Sequence, residues 1–194
     1  MIKARISIAK DGPYLVEGNV PLANQRIVSN EKGESVDWHE DEAFPHAAKY
    51  ALCRCGRSAS KPFCDGAHSR VRFDGTETAS RDLYERQAEQ IEGPTVVLED
   101  AEQLCAFARF CDPHGRVWNL VSKTDQPSGR QLVEQESGDC PAGRLVAKDR
   151  ATGIAYEPRF EPSIGLVQDT AKAISGPLWV RGAQLSVAPR TDQE

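Results

Sequence analysis

The sequence predicts a mainly β protein with a few short helices, an α+β fold. Residues 2–9 alternate apolar and polar side chains, which is the period-two pattern of a half-buried strand. Residues 95–98 form a β-branched run behind a Gly-Pro breaker and predict another strand. A segment at 12–22 recurs at 176–185 with matching Gly, Pro and Val positions, which indicates two copies of one β element.

Shorter patterns fill the first part of the chain. Residues 14–16 are apolar and follow an Asp-Gly-Pro turn, so they predict a second strand. Residues 30–48 are polar and mixed, and we interpret them as a charged loop. Residues 50–52 predict a short edge strand, and residues 71–73 predict a strand that is closed by an Asp-Gly turn.

Helices are expected mainly in the second half. Residues 100–110 begin with a suitable aspartate cap and predict a helix, and residues 131–137 predict another short helix. Residues 81–93 are charged and fit either a short helix or a solvated connector. Residues 157–165 are punctuated by prolines and predict a loop.

The composition excludes several classes of protein. Of 194 residues, 39% are hydrophobic and 27% are charged, as in ordinary soluble globular proteins. The formal net charge of -5 gives no overall field that would attract nucleic acid. No apolar run approaches the roughly 18 residues of a membrane span, and the N-terminus lacks the apolar core of a signal peptide. Six cysteines are too few for a disulfide scaffold, so we expect a reducing cytoplasm.

One short stretch concentrates potential metal ligands. The candidates, spaced C-x-C-x8-C-x3-H, are Cys53, Cys55, Cys64 and His68. Thiolates and imidazole suit both iron–sulfur clusters and zinc, but the C-x-C pair is tighter than the usual spacing of a zinc knuckle. A proline and a glycine flank the third cysteine and supply the turns that a loop around a compact cofactor needs. A zinc site and a disulfide loop are the alternatives.

The stretch resembles the CDGSH, or NEET-type, iron–sulfur proteins, whose pattern is C-x-C-x2-(S/T)-x3-P-x-C-D-G-(S/A/T)-H. The nine matching positions are Cys53, Cys55, Ser58, Pro62, Cys64, Asp65, Gly66, Ala67 and His68. The resemblance implies a 2Fe–2S cluster. Cys53 and Cys55 would hold one iron, and Cys64 and His68 would hold the other.

The same resemblance implies a β-cap, because NEET proteins are dimers in which paired strands cap two cluster domains. We expect the repeats at 12–22 and 176–185 to be adjacent strands of such a cap. They would pair within one chain, as an intrachain pseudo-dimer, or across a homodimer. The expected regions are a CDGSH domain with N-terminal cap strands at 1–80 and a C-terminal segment with the second cap element at 151–194.

The implied ligand set has consequences for redox chemistry. One neutral imidazole in place of a thiolate makes the cluster less negative, so its potential should exceed the roughly −400 mV of four-cysteine ferredoxins. The free ring nitrogen of His68 would couple electron uptake to proton uptake, and its protonation would make the cluster acid-labile. Four surrounding cations would further favour the reduced state: Arg54, Arg57, Lys61 and Arg70.

The other three cysteines are also organised. Cys105 and Cys111 form a C-x5-C pair, and Cys140 begins a distant C-P-x-G-x-L. The pattern resembles divergent single-cluster ferredoxin-like domains over about residues 95–150, which predicts a ferredoxin-like region at 94–150. It departs at Phe107, where that family commonly has histidine.

The fourth ligand of this candidate second site is open. His114 or Asp112 could supply it, or three thiolates could act alone. Three thiolates would fit a 3Fe–4S cluster or a labile 4Fe–4S cluster, and zinc would take His114 as its fourth ligand. Alternatively, the three cysteines are small buried hydrophobic residues.

The sequence therefore predicts a redox carrier, a cluster-transfer protein or a redox sensor rather than an enzyme. No Gly-rich phosphate loop, nucleophile–base pair or carboxylate dyad is present. The expected partner is a redox protein or an apo-protein that accepts the cluster, with no nucleic acid and no membrane. The alternatives are a zinc- or iron-stabilised interaction module without a redox role, and an enzyme that acts at the second cysteine set.

Overall fold

The computed structural model describes residues 4–182 and residues 186–189. Its strands are β1 (Arg5–Ile8), β2 (Tyr14–Glu17), β3 (Leu22–Ser29), β4 (Ser35–Ala43), β5 (Lys49–Leu52), β6 (Glu89–Glu92), β7 (Val96–Asp100), β8 (Leu145–Asp149), β9 (Ser163–Asp169), β10 (Ile174–Arg181) and β11 (Ser186–Pro189). Its α-helices are α1 (Ala67–Arg70), α2 (Tyr84–Gln87), α3 (Val117–Leu120) and α4 (Pro127–Gly138). Strand content of 34% against 18% helix confirms the mainly β α+β prediction.

The first sheet has the strand order β11-β1-β2-β5. β2 pairs antiparallel with both β1 and β5, and β11 joins β1 in parallel. Leu52, the last residue of β5, is buried and pairs with Tyr14. The segment that follows Leu52 therefore leaves the sheet from a fixed point.

The second sheet, in the order β10-β9-β3-β4, is covered on both faces. Successive side chains of a strand point to opposite faces, so β9 can serve two cores. Ile164 packs against Val16 and Leu52 of the first sheet, whereas Val167 packs with Ala108 and Phe110 on the other side. The second sheet is thus the central layer between the first sheet and the segment around residue 108.

The third sheet consists of the antiparallel strands β6-β7-β8. Its core lies against α3 and α4 and comprises Val96, Leu98, Val117, Leu120, Val121, Val133, Leu145 and Ala147. Gly93, in the turn between β6 and β7, lies so close to Val121 that an added Cβ would be 2.2 Å from its carbonyl oxygen. Only glycine therefore fits the Gly-Pro breaker that precedes β7.

Several predicted elements are confirmed with small shifts at their ends. Residues 14–16 lie in β2, residues 50–52 in the edge strand β5, and residues 95–98 overlap β7. The predicted helix at 131–137 lies inside α4. The N-terminal strand is confirmed over Arg5–Ile8, and residues 1–3 lie outside the described residues.

Three predictions of local structure are wrong. Residues 71–73 are not a strand, because Arg72 adopts a left-handed φ of 51° after α1 ends. The helix predicted at 100–110 is only a single turn at Glu102–Leu104. Left-handed φ values at Phe107 and Arg109 are incompatible with an α-helix. The predicted loop at 30–48 contains strand β4. The charged stretch at 81–93 does contain a short helix, α2, which was one of its two alternatives, but strand β6 follows it unpredicted.

The predicted pairing of the two repeats is also wrong within the chain. The first copy contributes β2 to the first sheet, whereas the second copy contributes β10 to the edge of the second sheet, where it pairs with β9. Residues 183–185 of the second copy lie outside the described residues. Pairing of the repeats across two chains stays a prediction.

The reason for this difference is the position of the second Gly-Pro step. Gly176 and Pro177 fall at a register shift inside β10. They therefore form a bulge within a strand, whereas the first Gly-Pro step precedes one. The two copies still contribute to one core through Val16 and Leu178. The boundaries of the predicted regions at 1–80, 94–150 and 151–194 stay predictions.

Across residues 4–182 and 186–189, none of the helices combines the length and apolarity that crossing a bilayer requires.

Candidate metal centre

The loop that carries the predicted ligands begins at the end of β5 and returns to that same end. The N–H of Cys53 donates to the Pro62 carbonyl over 2.8 Å, and the N–H of Cys64 donates to the Ala51 carbonyl over 2.9 Å. An isolated β-bridge between Leu52 and Phe63, next to these bonds, closes the base of the loop. Strand-type hydrogen bonds thus fix Cys53 and Cys64 at the base of the loop.

Ser58 braces the inside of this loop. Its side chain is buried, and its Oγ donates to the Phe63 carbonyl over 2.6 Å while accepting the Ser60 N–H over 3.0 Å. A buried hydroxyl with two backbone partners fixes the path of the chain between the second and third cysteines. The motif match included Ser58, but the sequence did not reveal that it acts as a brace.

Ser58→Ala should therefore weaken retention of any metal group in the loop. Removing the hydroxyl leaves the Phe63 carbonyl and the Ser60 N–H without this partner, which costs about 1–3 kcal/mol. We expect the metal group to be lost roughly tenfold faster, measured as the decay of visible absorbance at fixed pH. Ser60→Ala, which keeps the Ser60 N–H, is the matched control. Equal decay rates for the two variants would contradict the role of Ser58.

Asp65 is a second brace. Its carboxylate accepts the N–H groups of Ala59 and Ala67, each over 2.9 Å, and Arg70 lies 3.7 Å away. The bond from Ala59, and then that from Ala67, hold the pKa of Asp65 below its ordinary value. The carboxylate is therefore ionised and organises the backbone on both sides of Cys64.

The turn after Asp65 brings the histidine to the third cysteine. Gly66 has a φ of 83°, in the left-handed region that favours glycine, and its N–H donates to Cys64 Sγ over 3.4 Å. Helix α1 begins at the next residue and carries His68. Its Nδ1 consequently lies 3.3 Å from Cys64 Sγ.

The four predicted ligands form two donor pairs. Cys53 Sγ and Cys55 Sγ are 3.9 Å apart, and Cys64 Sγ and His68 Nδ1 are 3.3 Å apart. At usual bond lengths, donors on one tetrahedral ion are about 3.8 Å apart for two sulfurs and about 3.5 Å for sulfur and nitrogen. Within the described part of the chain, no three His, Cys, Asp or Glu side chains gather closely enough to hold a single ion. The arrangement therefore suits two ions, one for each pair.

Backbone donors around the first pair favour thiolates. Burial alone would raise the pKa of the Cys53 thiol, but hydrogen bonds, led by that from the Ser58 backbone, bring it below its ordinary value. The Arg57 N–H donates to Cys55 Sγ over 3.4 Å. Hydrogen bonds to sulfur stabilise the negative charge that metal ligation requires and tune the potential of an iron–sulfur site.

Of the four cations predicted around the loop, one binds the backbone of neighbouring turns and three are exposed to solvent. Arg54 donates to the Gly75 carbonyl over 2.7 Å and lies 3.4 Å from the Ala9 carbonyl, so it fastens the loop to neighbouring turns. The other three cations are exposed: Arg57, Lys61 and Arg70. Solvent screening limits their effect on the ligands.

An open groove of about 550 Å³ lies beside His68. The other residues that line it are Lys10, Asp11, Ser69, Arg72, Phe73 and Asp74. Because Nδ1 faces Cys64, Nε2 is the ring nitrogen that remains available to solvent and to protons. The sequence did not predict this groove, since its two sides are separated by more than fifty residues of chain.

The three remaining cysteines lie around one narrow cleft. Cys105, Cys111 and Cys140 all line it, together with Arg144. Burial, and then the neighbouring Asp112 carboxylate, raises the pKa of the Cys111 thiol to about 11. A protonated, partly buried thiol of this kind is a poor nucleophile.

The candidate fourth ligands of this second set lie elsewhere. Neither His114 nor Asp112 is among the lining residues, and His114 Nδ1 instead lies 3.0 Å from Glu136 Oε1. Burial raises the pKa of Glu136 to about 7, although His114 opposes that shift. The position of Arg144 at the cleft was not predicted, since more than thirty residues separate it from Cys105 in the sequence.

Three thiols and one imidazole lie in two pairs on a braced loop at the edge of a β-sheet, and both residue types are ones that metal sites with mixed cysteine and histidine ligands use. Residues 11–69 match the family model described as iron-binding zinc finger, CDGSH type. Residues 11–69 therefore form a CDGSH-type iron-binding domain, which confirms the CDGSH resemblance and supports an iron–sulfur-binding protein. No curated protein matches the chain. The family match does not extend to residues 95–150, whose ferredoxin-like character stays a prediction.

Proposed function

We propose that the CDGSH-type domain binds one 2Fe–2S cluster and that the protein acts as a one-electron carrier. The proposed ligands are Cys53, Cys55, Cys64 and His68. The observation that carries the proposal is their division into two donor pairs, each with the separation that a single tetrahedral iron requires. A structural zinc site would need four donors around one point, so the zinc-stabilised interaction module is the weaker candidate.

When bound, the cluster would supply reversible one-electron chemistry, and the surrounding residues would set its properties. His68 contributes no charge as a neutral ligand, so reduction is easier than with four thiolates. The His68 side chain lines the open groove, so a proton can reach it without opening the loop. Protonation that detaches the imidazole would release one donor of the second pair, which supports acid lability.

The groove also indicates where a redox partner would approach. It brings His68 to the surface between charges of both signs, Lys10 and Arg72 on one hand and Asp11 and Asp74 on the other. Mixed charges of this kind suit a transient complex with a protein whose surface charges are complementary to those of the groove. The six cysteines are free, in keeping with the reducing cytoplasm that we propose as the compartment.

The direct test is metal and sulfide analysis of anaerobically purified protein. We expect visible charge-transfer absorption, and we expect Cys64→Ser to remove about two irons and two sulfides per chain. His46→Ala, at a half-buried histidine outside the loop, is the control and should leave both counts unchanged. A colourless protein that contains zinc would overturn the proposal.

Electron transfer and cluster transfer are separated by a second measurement. A carrier should be reduced and reoxidised repeatedly without loss of iron, whereas a cluster donor should pass its iron to an apo-ferredoxin. Conversion of the visible spectrum to that of the holo-ferredoxin on mixing at neutral pH would favour cluster transfer over the electron-carrier role.

A further inference from the structure

A second groove opens beside the ligand loop, and it has no described lining residue in common with the groove at His68. Its volume is about 360 Å³, and Cys53 itself lines it, so we call it the Cys53 groove. The ligand loop therefore meets solvent on two separate faces, through His68 on one and through Cys53 on the other.

The floor of the Cys53 groove is an uncovered end of the core between the first two sheets. Phe44, Leu166 and Leu178 line the groove, and all three also pack against the buried residues of that core. Leu166 and Leu178 lie opposite each other in β9 and β10. Phe44 meets Phe63 edge-on, with ring centroids 6.4 Å apart. These contacts fix the apolar floor in place, so it needs no rearrangement to receive a side chain.

The rim of the Cys53 groove is positively charged. Lys61 is exposed, and no carboxylate of the described residues lies within ion-pair distance of it. Arg54 is the second cation, and its guanidinium is held by the Gly75 carbonyl over 2.7 Å. The sequence contains 29 aspartate and glutamate residues, yet none of them is among the described residues that line this groove. On a protein with a net charge of -5, such a groove selects a negatively charged partner.

The edge strand beside the groove resists pairing with another strand. Gly176 and Pro177 of β10 are exposed and line the groove. Proline has no N–H to donate to a further strand, and the bulge at this step disturbs the edge. An occupant that adds a strand, such as the same edge of a second copy, is therefore disfavoured. The groove is suited instead to the side chains of a partner.

We propose that the Cys53 groove is a docking site for a one-electron redox protein with an acidic surface. This inference rests on the proposed 2Fe–2S cluster and adds the face on which its electron is exchanged. One electron passes between the partner and the cluster held by the loop, so one is oxidised as the other is reduced, and no bond forms or breaks. The His68 groove then remains for protons and for the second partner that a carrier needs.

The dimensions of the groove fit a transient complex. Its apolar floor takes one or two partner side chains, while Lys61 at the rim attracts carboxylates that surround them. Electron-transfer complexes are small, and bury less than about 1,200 Å² in total. A partner seated in the groove touches Cys53, whose Sγ lies 3.9 Å from Cys55 Sγ. It thus reaches the donor pair that lies away from His68.

The test measures binding of oxidised plant-type ferredoxin, an acidic redox protein, to cluster-loaded full-length protein. Lys61→Glu and Ser175→Glu each place a carboxylate in the groove, and Ser175 lies on β10, outside the ligand loop. We expect each change to weaken binding about tenfold at low ionic strength, measured by calorimetry, and the effect should disappear in high salt. Reduction of the protein by reduced ferredoxin should slow to a similar degree.

Lys32→Glu, at an exposed lysine that lines neither groove, makes the same change in charge as Lys61→Glu and is the matched control. Equal weakening by these two variants, or unchanged binding in Lys61→Glu and Ser175→Glu, would overturn the proposal. A dimer in sedimentation that Ser175→Glu dissociates would assign the groove to a second copy instead. Loaded protein that does not bind ferredoxin refutes the docking site alone. Protein without 2Fe–2S absorption refutes the proposed function, and this inference with it.

Discussion

Replacing His68 by cysteine should lower the midpoint potential of the CDGSH-type cluster by on the order of 100–300 mV. A fourth thiolate adds one negative charge to the site, so accepting an electron becomes less favourable. The change should also abolish the pH dependence of the potential, because the titratable ring nitrogen is gone. Redox titration followed by visible absorption, repeated at several pH values, measures both effects.

The same substitution should make the cluster more resistant to acid. Falling pH protonates the imidazole of His68 and detaches it, whereas a cysteine ligand lacks this route to release. His46→Ala, outside the loop, should behave like the unmodified protein in both experiments. If His68→Cys leaves the potential and the acid stability unchanged, His68 is not a ligand.

Lys148→Ala should lower the free energy of unfolding by about 3–5 kcal/mol. We expect this to be the largest loss from truncating any partly exposed side chain. Lys148 Nζ lies 2.8 Å from Glu99 Oε2, and the Glu99 side chain is only 4% exposed. The Gln90 amide donates to the other carboxylate oxygen over 2.9 Å, so Lys148 is the cation that balances the buried charge. Its removal leaves a carboxylate in the interior of the third sheet. Urea denaturation at neutral pH measures the loss.

Two controls separate this effect from the loss of an ordinary ion pair. Arg81→Ala breaks an exposed pair with Glu77 and should cost at most about 1 kcal/mol. Combining Lys148→Met with Glu99→Leu removes both charges and should recover most of the stability. A loss below about 1 kcal/mol for Lys148→Ala would mean that water reaches Glu99 after the substitution.

The sequence was most informative where a short local pattern determines the structure. The alternating and β-branched runs predicted β1 and β7, because side-chain periodicity reports directly on burial. The ligand motif predicted which four side chains would meet at the loop, because they are joined by one tight segment. The braces formed by Ser58 and Asp65 depend on the same local spacing.

The sequence was least informative where distant segments decide the structure. Strand β4 was missed because its polar residues gain partners from β3, as when Arg26 donates to Asp41 over 2.8 Å. The helix predicted after Asp100 does not form because Ala108 and Phe110 pack against the second sheet, which their own sequence cannot reveal. The repeats were assigned to one sheet because a local Gly-Pro pattern does not specify which edge a strand will pair with.

The parallel pairing of β3 with β9 and of β1 with β11 has a consequence for how the protein is made. The ligand loop leaves the ribosome when β9 and β11, which complete both of its supporting sheets, have not yet been synthesised. Ile164, which is fully buried beside Leu52 in the core beneath the loop, is also missing at that stage. Contacts between segments so far apart in the chain form slowly. We therefore expect iron to be acquired only after β9 and β11 have left the ribosome, with closure of the two sheets as the slow step of maturation.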